Sequence, residues 1–191
     1  MNDRNDRGRP SATRHLSGRA AFPSMVRSAC LILLLLIQLP ATAPAKTLDT
    51  CFSPLGHCDQ VLVSWINAAE RTVDGAIYGL TDEAIAQAMI RAKERGVRVR
   101  LVHDRTQAAG KRDVTDELTS AGVNVHVQRG SGGGILHDKF LIIDKKYVIT
   151  GSFNWTNNAA KKNDENFVVL DDDAPRFETE FERLWNETRK P

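Results

Sequence analysis

The stretch His137-Asp138-Lys139-Phe140-Leu141-Ile142-Ile143-Asp144, closely followed by Gly151-Ser152-Phe153-Asn154-Trp155, organises the rest of the chain. It reads H-x-K-x4-D and then G-S-x-N-W, and the set occurs once. Lys139 to Ile143 is apolar and β-branched, and Tyr147 to Thr150 is similar, so both read as strands. Residues two apart on a strand share a face, which points His137 and Lys139 the same way. The polar connection Asp144-Lys145-Lys146-Tyr147 suits a hairpin. A loop pairing Asp144 with Tyr147, or one pairing Ile143 with Val148, gives the same register. Lys139 then lies opposite Ser152 and His137 opposite Asn154. Opposed side chains on one face are near neighbours, so an imidazole, an ammonium, a hydroxyl and a carboxamide are expected to converge. A bulge would break that register. Asp144 sits an odd number of residues from both His137 and Lys139, and reads as a turn or orienting residue instead of a substrate ligand. The plainer alternative is an edge hairpin with a surface histidine and lysine, and the full combination of residues argues against it.

These residues resemble the signature of the phospholipase D superfamily, and more specifically its short, single-motif, secreted bacterial endonucleases. The resemblance spans roughly residues 51–188. Cys51-Phe52-Ser53-Pro54, Arg95-Gly96-Val97-Arg98-Val99-Arg100 and Asn163-Asp164-Glu165-Asn166 support it. It implies a two-step phosphoryl transfer without a metal cofactor. A histidine attacks phosphorus, and water then hydrolyses the phosphohistidine. The implied catalytic set is His137, Lys139, Asp144 and Glu165, with Glu165 at the position of a carboxylate that orients the histidine. Lys139, Ser152 and Asn154 would hold the phosphate oxygens as charge develops. A second histidine protonates the leaving oxygen in this family. With one motif per chain, it must come from another molecule. A homodimer with its active site on the two-fold axis is therefore expected, each His137 facing its copy. Which copy attacks is left open.

Outward from the motif, residues 1–45 read as a leader. Leu31 to Leu39 form a short apolar core after Arg27 and before Pro40, and Ala43-Pro44-Ala45 is an A-x-A cleavage site. Cleavage after Ala45, a true start at Met25 and a periplasmic or secreted product are the expectations. A retained anchor is the lesser alternative, because the apolar core is short for a membrane span. The remainder, 46–191, has the size of one domain.

The whole chain carries 26 basic and 24 acidic residues. Without the leader's 6 Arg and 2 Asp the balance is −2, so overall charge does not argue for a polyanionic ligand. Distribution argues better: Arg91 to Lys162 holds 14 basic and 7 acidic residues, between acidic flanks. Such a block suits phosphate contacts that read no sequence. Aromatic residues are sparse, so extensive base stacking is not expected. Whether Trp155 stacks or packs stays open.

Cys51 and Cys58 remain after leader removal, and in an exported chain they are expected to form a disulfide. A metal site of Cys51, His57 and Cys58 is the rival, and it lacks a fourth nearby ligand. Coarse patterning predicts helices at 59–70, 82–95, 111–120 and 175–187 and strands at 72–78, 97–102, 123–127 and 166–170. Thr81 and Asp82 offer an N-cap, and Gly96 and Gly122 helix ends. The pattern predicts an α/β fold, helices covering a mixed sheet. Gly130 to Gly134 lacks a phosphate-loop pattern and reads as a flexible loop leading into His137. His103 and His126 read as structural. The leading expectation is a metal-independent phosphodiesterase acting on nucleic acid, DNA or RNA. Phospholipid is the alternative substrate, and a non-catalytic nucleic-acid-binding dimer is the reading from another class.

Overall fold

The computed structural model describes residues 46–187. The leader, its cleavage site and Met25 lie outside the described residues. In chain order the elements are β1 (Lys46–Ser53), α1 (Cys58–Ala68), β2 (Thr72–Ile77), α2 (Glu83–Glu94), β3 (Arg98–Asp104), α3 (Arg105–Ala108) and α4 (Thr115–Ser120). There follow β4 (Asn124–Gln128), β5 (Lys139–Ile143), β6 (Tyr147–Gly151), α5 (Asn157–Lys161), β7 (Glu165–Asp171) and α6 (Ala174–Glu187). The strands form one seven-stranded mixed sheet in the order β1-β7-β6-β5-β2-β3-β4. β2, β3 and β4 run parallel, and the remaining pairings are antiparallel.

β5 is central and buried along its whole length, which explains why its apolar run is continuous instead of alternating. Its faces separate the two cores. Leu141 and Ile143 pack with Leu62, Ile66, Ile85 and Met89 of α1 and α2. Phe140 and Ile142 pack with Phe181, Leu184 and Trp185 of α6. Arg100 ties α6 to the sheet, bridging buried Asp74 (2.7 Å) and Glu182 (2.8 Å) beneath the rings of Phe181 and Trp185.

The expected caps are present. The Asp82 carboxylate accepts the Ala84 and Ile85 N–H groups, and Gly96 ends α2 at φ 91°. Cys51 and Cys58 are disulfide-bonded with Cα atoms 5.7 Å apart, so their sulfurs ligate no metal. Three expectations need correction. The helix predicted from residue 111 starts at Thr115, because Asp113 caps it by accepting the Thr115 N–H at 2.8 Å. β1 and α5 were not expected at all. The hairpin register is one residue off: Ile143 pairs with Tyr147 and Phe140 with Thr150. Its connection is the three residues Asp144, Lys145 and Lys146, with Asp144 and Lys145 left-handed at φ 53° and 58°. Lys139 and His137 therefore do not face Ser152 and Asn154 through a ladder.

Candidate active site

The signature residues meet at one rim of the sheet, where β5 and β7 begin and β1, β2 and β6 end. His137, Lys139, Gly151, Ser152, Asn154 and Glu165 line an open cleft of about 390 Å³ there. The convergence expected from the hairpin occurs by another route. β6 ends at Gly151 and the chain bends, with the Ser152 and Phe153 N–H groups both donating to the Asn166 carbonyl (2.9 and 3.2 Å). The Trp155 N–H then donates to the Gly79 carbonyl at 3.0 Å, holding the bend against the end of β2.

Each polar group keeps a donor for the cleft. The Ser152 Oγ accepts the Asn166 N–H at 3.1 Å, which leaves its own proton to donate. The Asn154 Oδ1 accepts the Gly79 N–H at 3.1 Å, which turns the amide nitrogen into the free end. Lys139 is only 9% exposed, and its ammonium donates to the His137 carbonyl at 2.8 Å and lies over the Tyr78 ring. Burial lowers its pKa, against the opposing pull of Glu165 and Asp138. An ammonium held in a partly dry site is short of counter-charge, a condition an anionic ligand relieves. The His137 ring is exposed and stands edge-on to Tyr78, centroids 4.7 Å apart. Glu165 accepts from the Asn163 amide at 3.2 Å, and within one chain it makes no hydrogen bond to His137.

Asp144 is not in the cleft. It lies at the far end of β5, roughly 15 Å from Lys139 along the strand. Its carboxylate accepts the N–H groups of Arg71 (2.6 Å), Thr72 (2.9 Å) and Glu70 (3.0 Å). Burial would raise its pKa, and these donors outweigh burial and hold it low. The turn role read from its parity matches this position, and Asp144 does not line the cleft with His137 and Lys139.

Two positions that shape the site escaped the sequence reading. Tyr78 touches both His137 and Lys139 from the end of β2, and nothing in its local pattern marks it. Buried Asp104 caps α3 and also accepts the Leu136 N–H at 2.9 Å, fixing the chain one residue before His137. Its place directly after an apolar strand was the available signal. His103 is structural as expected: its Nδ1 lies 2.8 Å from Thr115 Oγ1 and its Nε2 3.5 Å from Asp113. Burial lowers its pKa, and Asp113 opposes that shift. His126 stacks on Trp185 at 3.6 Å, and Trp155 is buried in the core. The glycine run closes on itself, Gly130 N–H to Gly134 carbonyl at 2.9 Å, and Ser131 accepts from Arg183 of α6 at 2.7 Å. Among the described residues no group of three or more His, Cys, Asp or Glu has metal-site geometry, and no helix is long and apolar enough to cross a membrane.

Known proteins are similar to this chain in sequence and fold. The family described as cardiolipin synthase, PLD-like domain matches residues 62–185. A protein of Rickettsia conorii named phospholipase D is 40% identical over 124 residues, 65% of this chain and 61% of its own length. The chain thus spans about three fifths of such relatives. The mitochondrial cardiolipin hydrolase of Xenopus laevis is 34% identical over 153 residues, 78% of this chain and 70% of that one. Among solved structures, the phospholipase D family member Nuc from Salmonella typhimurium superposes with TM-score 0.69 at 30% identity, covering 74% of this chain and 95% of Nuc. NucT from Helicobacter pylori superposes with TM-score 0.69 at 27% identity, covering 74% and 96%. Fold and sequence agree: the chain belongs to the phospholipase D superfamily, with a PLD-like domain of the cardiolipin synthase type.

Proposed function

We propose that this phosphodiesterase fold hydrolyses nucleic-acid phosphodiester bonds without a metal, through a covalent phosphohistidine in a homodimer. The observation that carries the reading is the single cleft collecting His137, Lys139, Ser152, Asn154 and Glu165. In the first step the neutral His137 imidazole attacks phosphorus and the bond to the leaving oxygen breaks. The partner subunit's His137, protonated, gives that oxygen its proton. In the second step the same partner imidazole, now neutral, takes a proton from water as the water oxygen attacks phosphorus. The P–N bond breaks and His137 is restored. Such acid–base help contributes about 10²–10⁴-fold. Lys139, Ser152 and Asn154 donate to the non-bridging oxygens, whose charge grows in the transition state. Glu165, with no bond to its own His137, is available to a protonated imidazole arriving from the partner.

The basic block from Arg91 to Lys162 and the likeness to Nuc and NucT favour a nucleic-acid substrate. Phospholipid is the second reading, favoured by relatives named phospholipase D and mitochondrial cardiolipin hydrolase. The disulfide supports an oxidising, exported location.

The deciding assay incubates the protein in excess EDTA with supercoiled plasmid, beside a His137→Ala control. Nicking by the parent, reduced at least about a thousandfold in the variant, is the expected result. A folded parent that leaves the plasmid intact yet hydrolyses cardiolipin vesicles would replace the nucleic-acid reading with the phospholipid one.

A further inference from the structure

A second, larger cleft opens beside the cavity, about 810 Å³ in volume, within the roughly 300–1,000 Å³ usual for ligand sites. The two share Asn154, and the Gln107 amide on the wall of the larger cleft donates to the Tyr78 hydroxyl at 2.9 Å. Tyr78 is the ring that touches His137 and Lys139. A phosphodiester seated in the cavity has two ester arms, and an arm that passes Asn154, the residue common to both, would enter this cleft. We infer that the cleft holds the nucleotide next to the scissile phosphate, an inference that rests on the proposed nuclease reading.

The lining chemistry selects that occupant. Lys111 and Arg112 are exposed at the cleft wall, and among the described residues neither forms a hydrogen bond or ion pair. Of the three carboxylates on the same wall, Asp113 is held by His103 and the Thr115 N–H and Glu117 by the Gln87 amide, which leaves Glu83, among the described residues, as the uncommitted acid beside two uncommitted cations. Lys111 and Arg112, one cleft away from the proposed phosphate site, suit the next phosphate of a chain. Gln107 and Asn158 each offer an amide that both donates and accepts, the pairing chemistry of base edges and sugar hydroxyls. An acyl chain would need apolar walls. The cleft's one aliphatic side chain, Val114, is itself buried in the core.

The cationic loop is also held in place. It runs between α3 and α4, and the buried His103 braces its end through Asp113 (3.5 Å) and Thr115 (2.8 Å). The Val114 N–H donates to the Leu80 carbonyl at 3.4 Å, binding the loop to the segment after β2. Lys111 and Arg112 are therefore carried on an anchored turn, which favours a preformed subsite over a site ordered by the ligand.

The test compares the full-length protein with the Lys111→Ala/Arg112→Ala variant on two substrates, a single-stranded oligonucleotide and bis(para-nitrophenyl) phosphate. The small diester fills the cavity and has no second phosphate. The variant should show KM for the oligonucleotide raised about tenfold and a salt dependence of binding shallower by about 1.5–2 in log–log slope, two phosphate contacts having gone. Its hydrolysis of the small diester should be unchanged. Asn158→Ala, which removes no charge, should raise the oligonucleotide KM without altering that slope. An oligonucleotide KM left at the parent value, or an equal loss on both substrates, overturns the subsite. A parent enzyme that cleaves the small diester and no oligonucleotide overturns the nuclease reading itself, a distinguishable result.

Discussion

Asp144 illustrates how a signature residue can stand outside the cleft and hold the scaffold. Its left-handed backbone at φ 53° closes the β5–β6 turn, and its carboxylate gathers three N–H groups from the chain entering β2. β2 is the strand beside β5, so this one side chain fixes how the two strands meet, and Lys139 pairs with Ile77 at the other end of the same ladder. Asp144→Ala should lower unfolding free energy by about 2–4 kcal/mol, since the charge-assisted hydrogen bonds go and a non-glycine residue without a capping group stays left-handed. Urea denaturation measures it. The pH dependence has a definite sign. A carboxyl held below its usual pKa near 4 stabilises the fold above that pH, and the contribution is lost as pH falls through the folded-state value. The stability gap between the parent and Asp144→Asn should therefore be constant near neutrality and shrink on acidification below about pH 4. An Asn variant with parental stability and no turnover would instead put Asp144 in the chemistry.

At the scale of elements, the β6–β7 pairing decides whether the cleft exists. Gly151 is the last residue of β6 and sits on the cleft wall, opposite Phe167. A Cβ there would lie 2.2 Å from the Asn166 carbonyl oxygen and 2.7 Å from the Phe167 Cα, both backbone atoms that cannot swing aside. Gly151→Ala should thus cost about 3 kcal/mol or more and pull Ser152 away from Lys139, detectable as a lower melting temperature with a fall in kcat exceeding that from unfolding. The same pair of strands shows what was legible beforehand. The runs of β2, β3 and β5 announced themselves because burial on both faces leaves a nearly continuous signal, whereas β7, with only Phe167 and Val169 buried, showed through its β-branched residues. The register did not, since the loop is one residue shorter or longer than either expected turn and only backbone φ values distinguish the choices. β1 was missed because it is an edge strand whose first five residues are exposed, leaving only Cys51 and Ser53 buried. α5 escaped because five residues are too few for a periodic pattern, although Thr156 caps it in the ordinary way. The cleft residues were nevertheless identified, because residue types and spacing recorded the chemistry even where the assumed ladder was wrong. Tyr78 carried no such record and Asp104 only its place after an apolar strand, as their roles come from contacts made across the sheet.

For the whole molecule, the proposed two-imidazole mechanism has to be reconciled with a chain that places a single imidazole at the cleft. Within the chain, His137 is exposed at the sheet rim, and its only ring neighbour is Tyr78 among the described residues. The proposed mechanism assigns the other donors of the cleft to the phosphate oxygens, and the Lys139 ammonium also donates to the His137 carbonyl and lies over the Tyr78 face. Under the proposed mechanism the proton for the leaving oxygen comes from a second copy, because a two-fold axis through the cleft would deliver the same residue from the other side. This arrangement predicts a dose response that a self-sufficient chain cannot reproduce. If parent and His137→Ala proteins are mixed in equal amounts and their subunits exchanged, about a quarter of dimers carry two imidazoles. Activity at fixed total protein should then fall to about a quarter of the unmixed parent's, because a dimer with one imidazole lacks either nucleophile or acid. A chain acting alone would retain about half under the same mixing. A quarter combined with a dimer mass by light scattering assigns both imidazoles to one shared site, whereas a half returns the second proton donor to the single chain.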